Sequence, residues 1–132
     1  MTAKKATLEE LLKRKLQSEN DRNAFFPIES KEAGLTFMVQ KLPIEKVIDM
    51  LDDFKVVNGS TSTKENFEGA VRIIYDSVPM LHDEKLRKGL AEPYDVVPLV
   101  FGDNIGAIVT FAQEIIEKFY VGAASAVEEI KN

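Results

Sequence analysis

His82 is the only histidine in this 132-residue chain, and cysteine is absent. Imidazoles and thiolates are the side chains that most often shuttle protons, attack carbonyls or hold transition metals near neutral pH. His82 is followed by Asp83 and Glu84, which supply neither a second ligand nor an opposed general acid. It reads as a surface histidine between two helices. Glu45, Asp49, Asp52 and Asp53 line one side of an expected helix, and such oxygens suit hard cations or acid–base work. No calcium-loop pattern accompanies them, and they lie away from the apolar stripe, so they read as a solvated face.

Gly102-Asp103-Asn104-Ile105-Gly106 has the look of a phosphate-cradling turn ahead of a helix. It lacks the full glycine pattern, a clear preceding strand and the lysine of a P-loop. Helix termination at Gly102 and capping by Asp103 or Asn104 account for it. Ser60, Ser62 and Thr63 have no general base placed for them, so loop and cap chemistry is the reading there. The expectation is a protein that is not an enzyme, with no cofactor and no metal.

What remains is apolar surface and the elements that carry it. Thr7, with Glu10 three residues on, opens a helix in capping-box fashion. Leu8, Leu11, Leu12 and Leu16 make a narrow stripe on it, and Asn20 to Asn23 end it. So little apolar surface cannot hold a helix alone, and docking on the chain's own body is the favoured reading, with docking on a neighbouring copy the alternative. Residues 1–22 hold six lysines and arginines (Lys4, Lys5, Lys13, Arg14, Lys15, Arg22) against four acids (Glu9, Glu10, Glu19, Asp21), a balance of +2. The whole chain carries −5, which leaves −7 on residues 23–132. An acidic body with so mixed a basic end does not suit a polyphosphate backbone, so no nucleic-acid partner is expected.

Phe25-Phe26-Pro27-Ile28-Glu29 and Leu35 to Lys41 read as two strands joined by Ser30 to Gly34, with Gly34 free to take positive φ. Leu35, Phe37 and Val39 fall on one face, and Pro27 makes the first strand an edge. Pro43 precedes an amphipathic helix with Ile44, Val47, Ile48 and Leu51, ending near Phe54. A loop from Val56 to Thr63 follows, in which Ser62 and Glu65 offer a second capping box. The next helix buries Phe67, Ala70, Val71, Ile74 and Val78 up to Pro79, which terminates or kinks it. Asp83 to Leu90 forms a short charged helix, and Pro93 starts another that Gly102 closes. The last helix presents Ile105, Ile108, Val109, Ala112, Ile115, Ile116 and Phe119 at a 3.6-residue period.

The fold class expected is mainly α (α+β): a compact domain of about five to six helices with a short N-terminal β-hairpin. Its organisation is a basic amphipathic arm (1–22), a hairpin-plus-helices domain (23–121), and a weakly helical tail (122–132) expected to fray. No apolar run approaches the roughly 18–20 residues of a membrane span, and the charged start is unlike a signal peptide. A soluble protein of a reducing cytoplasm, with no membrane partner, is the expectation. Among the aromatics, Phe101 and Phe119 are assigned to the core. Tyr94 is a candidate partner anchor, and Phe111 and Tyr120, at the margins of the last stripe, are expected to be more exposed. With Leu8, Leu11, Leu12 and Leu16 they make up the candidate partner-binding residues.

Several pieces in a fixed order carry a family resemblance: Leu11-Leu12-Lys13-Arg14-Lys15-Leu16-Gln17, the phenylalanine-rich hairpin, and Val39-Gln40-Lys41-Leu42-Pro43. Ile74-Tyr75-Asp76-Ser77-Val78-Pro79-Met80-Leu81 and Glu92-Pro93-Tyr94-Asp95-Val96-Val97 follow. From the first helix to Phe119 the chain resembles the XkdN-like tail assembly chaperones of bacteriophages and prophages. The resemblance implies a non-catalytic protein that binds the aggregation-prone tape measure protein while tail tube subunits assemble. It also implies tail tube protein as a second partner, a place in the bacterial host cytoplasm, and absence from the mature virion. The alternative is a structural subunit or adaptor retained in a phage tail or phage-like particle. Self-association through the arm or the hairpin edge is compatible with either.

Overall fold

The computed structural model describes residues 5–53 and 63–119. The expected helix end at Phe54, the loop with Ser60, the Ser62 cap, Tyr120 and the 122–132 tail lie outside the described residues. Six α-helices and a two-stranded antiparallel sheet form the described fold, in the order α1 (Leu8–Asn23), β1 (Phe25–Ser30), β2 (Leu35–Gln40), α2 (Ile44–Asp53), α3 (Thr63–Ser77), α4 (Glu84–Arg87), α5 (Val96–Val100) and α6 (Ile105–Phe119). Short 3-10 helices, Pro79–His82 and Pro93–Asp95, precede α4 and α5. This is the mainly helical architecture with an early hairpin that the periodicities predict.

Local chemistry sets most boundaries. Thr7 accepts the Glu10 backbone N–H at 3.2 Å, capping α1, with Glu9 and Glu10 in the first turn and Arg22 in the last, each suited to the helix dipole. In the hairpin, Phe26 faces Val39, Ile28 faces Phe37 and Ser30 faces Leu35. Gly34 takes φ +70 where the chain re-enters β2. Pro79 opens its 3-10 helix at N1/N2, since a ring without an N–H cannot continue α3.

The core forms where α3 lies against α6, with α2, α5 and the inner hairpin face closing it. Ala70, Ile74, Val39, Val97, Ile108 and Ala112 are wholly enclosed. Three phenylalanines join hairpin to helices. Phe37 stacks on Phe101 with centroids 5.4 Å apart, and Phe111 lies 5.0 Å from Phe37 and 5.7 Å from Phe101. Phe26 meets Phe119 edge-on at 5.4 Å, which ties β1 to the end of α6. Phe101 is buried and Phe119 is partly buried against the core, as assigned.

Two stripes differ from their expected placement. The buried face of α6 is Ala107, Ile108, Phe111, Ala112, Ile115 and Ile116. It is rotated towards Ala107 and Phe111, so Ile105 is 54% exposed and Phe111 only 1%. Phe111 is therefore a core residue rather than a partner anchor. On α2 only Val47 is buried among the described apolar side chains, while Ile44 and Ile48 face solvent. Lys46 holds the other side of that helix to α3, with its Nζ 3.4 Å from Asp76.

Candidate protein-binding surface

Among the described residues the histidine and carboxylates singled out by the sequence lie apart. The His82 imidazole lies 2.7 Å from the Tyr75 carbonyl oxygen, with its ring 4.3 Å from the Tyr75 ring. That contact fastens the 3-10 helix to α3, as expected of a surface histidine between helices. Glu45 and Asp49 are exposed. Among the described residues no three acidic or histidine side chains come together in a metal-holding arrangement. The Gly102 turn is cap chemistry: Gly102 and Asp103 take φ +62 and +59. The Asn104 side chain accepts the Ala107 N–H at 3.0 Å as the N-cap of α6.

Apolar surface is what the fold leaves unspent. Helix α1 buries none of its residues. Leu8, Leu11, Leu12 and Leu16 are 74%, 55%, 57% and 61% exposed. Docking of the arm on its own body, the favoured expectation, is thus not the arrangement found. Asn23 ends α1, Ala24 is extended at φ −86 and ψ 152, and Phe25 is already in β1. The Gln40 amide donates to the Arg22 carbonyl at 3.4 Å and braces the root of the arm. Along the arm Lys15 pairs with Glu19 at 2.8 Å, and Gln17 donates to Asp21 at 3.1 Å. These i,i+4 contacts support the helix from within.

Tyr94 is exposed, as expected of an anchor, and borders a groove between α3 and the start of α5. The groove, about 500 Å³, has Phe67, Val71, Tyr94 and Pro98 in its wall and Glu68 and Arg72 beside them. Tyr75 packs edge-on against Tyr94 at 4.9 Å and fixes that ring from behind. The four arm leucines and Tyr94 are therefore all on the surface, but on separate elements. Ile44 and Ile48 on α2, and Phe25 and Met38 on the outer hairpin face, are exposed as well. Sequence spacing alone does not single them out, because an outward apolar stripe has the same period as a buried one. For Ile44 and Ile48 the signal lay in Glu45 and Asp49, one position further round on each turn.

Among the described residues no single helix is long and apolar enough to cross a membrane. No family model, curated protein or solved structure matches this chain.

Proposed function

We propose that the chain is a tail assembly chaperone of a phage or prophage that covers apolar helical surface of the tape measure protein while tail tube subunits assemble. The observation that carries the reading is the α1 leucine row, exposed along a helix that buries nothing. Full burial of a leucine is worth about 1.5–3 kcal/mol, so this row is a reserve of binding free energy that the monomer does not use. Amphipathic helices of this kind pair with other helices through i, i+3, i+4 anchors. A long helical client with apolar stripes offers the matching surface. The Tyr94 groove is a second place where a client side chain can anchor. The ordered resemblance from Leu11 to Val97 supplies the client's identity, and tail tube protein is the second partner it implies.

The test is co-expression of the full chain with the tape measure protein of the same gene cluster, followed by affinity capture and size exclusion. Co-elution with rescued tape measure solubility supports the proposal. A tape measure protein that stays insoluble with no complex contradicts it. Purified particles separate the chaperone from a retained subunit or adaptor: a chaperone is missing from them, whereas a structural component is present in fixed copy number.

A further inference from the structure

Helix α2 turns a surface of one charge sign to solvent. Ile44 is 62% and Ile48 53% exposed, about one turn apart. Glu45 and Asp49 each follow one of them, about 100° further round the helix, and are exposed as well. Neither carboxylate has an ion-pair or hydrogen-bond partner among the described residues. Lys46, the cation of this helix, is turned the other way, to Asp76 of α3 at 3.4 Å, and Val47 is buried against the body. What α2 presents is therefore two isoleucines with two unpaired acids beside them. The arm differs in kind. On α1, Lys13, Arg14, Lys15 and Arg22 are matched by Glu9, Glu10, Glu19 and Asp21, so its leucine row expresses no preference for either sign. The α2 strip does.

We propose that the Ile44–Ile48 strip docks an amphipathic helix of another protein whose apolar stripe is flanked by lysine or arginine. Apolar side chains of that helix cover the two isoleucines, and its cations meet Glu45 and Asp49. A helix is the fitting occupant because isoleucines one turn apart form a ridge along the α2 axis. Helices in contact lie about 8–10 Å apart, within reach of a flanking lysine or arginine side chain. Burial of the isoleucines attracts apolar stripes of any charge; the unpaired acids make the choice. A glutamate-flanked helix, a nucleic-acid backbone or an anionic lipid surface meets like charge there. The chain's own α1, whose charges balance, is not what this strip selects. The site lies on a different element from the leucine row and stands whether or not the arm binds the tape measure protein.

The experiment is fluorescence anisotropy on the full chain with two labelled synthetic helices of identical leucine spacing. One carries lysine on both flanks of its stripe, the other glutamate. Three double variants accompany the wild type: Glu45→Lys with Asp49→Lys, Ile44→Ser with Ile48→Ser, and Glu29→Lys with Glu117→Lys. All six positions are exposed, and circular dichroism checks that each form folds. The third makes the same charge change away from the strip and is the control. Wild type is expected to bind the lysine peptide at least about tenfold more tightly than the glutamate peptide. The preference is expected to reverse in the α2 charge variant and to persist in the control, while the isoleucine variant loses affinity for the lysine peptide. No binding of the lysine peptide overturns the proposal, and sedimentation of the chain alone then shows whether a second copy holds the strip. Equal binding of both peptides overturns it too, as does a control that loses as much as the α2 charge variant.

Discussion

Phe111 and Leu12 are both large apolar side chains on helices, yet truncating each has a different consequence. Phe111 is enclosed against Phe37 and Phe101, so Phe111→Ala leaves a cavity and is expected to cost about 3–5 kcal/mol in urea unfolding. Leu12 faces solvent, and Leu12→Ala is expected to leave the midpoint within about 0.5 kcal/mol of wild type. Ser77 is a different case. It is 1% exposed, and its Oγ has no hydrogen-bond partner. A buried hydroxyl left unpaired opposes folding, so Ser77→Ala is expected to be neutral or to stabilise by up to about 1 kcal/mol. On the arm, the hydrogen bond from Lys15 and then its charge lower the pKa of the Glu19 carboxyl from its ordinary value. A depressed folded pKa contributes stability that is present above the unfolded value and lost as pH falls through the folded one. The contribution of this pair to α1 should therefore be lost only as Glu19 takes up its proton in acid. Between about pH 6 and pH 8 this pair should change nothing.

At the scale of elements, α1 stands apart because its stability is local. Its cap and its i,i+4 pairs supply what tertiary packing supplies to α3 and α6. Thr7→Ala is expected to weaken α1 by about 0.5–2 kcal/mol. Far-UV dichroism should then record a loss of helix, while the unfolding midpoint of the body stays in place. The same distinction explains which parts of the fold are legible in the sequence. Thr7 with Glu10, Gly34 after a polar link, Pro79 and Gly102 act through their own backbone, so they mark helix ends and turns without knowledge of neighbours. Whether a stripe is covered depends on what lies opposite. Ile44 and Ile48 have the spacing of core residues but are exposed. The α6 face turns towards Phe111 because Phe37 and Phe101 arrive there from β2 and α5. The leucine row likewise has the spacing of a docked helix, yet α1 buries none of its residues.

The described residues form a packed helical body with a short sheet and one charged, leucine-faced helix that buries none of its residues. His82 lies against the Tyr75 carbonyl, and among the described residues exposed apolar surface lies on α1, α2 and beside Tyr94. That distribution suits a protein whose work is to hold another chain, and the arm is where the reading is most exposed to test. Replacing Leu8, Leu12 and Leu16 with lysine breaks up the apolar row, of which Leu11 alone is left, without touching the core. The deciding measurement is size-exclusion co-elution of the tape measure protein with the wild-type chain and with this triple variant, both confirmed as folded by dichroism. The account predicts a soluble complex with wild type, and a variant whose tape measure protein returns to the insoluble fraction. A variant that carries the tape measure protein as well as wild type does would contradict the arm's role in binding.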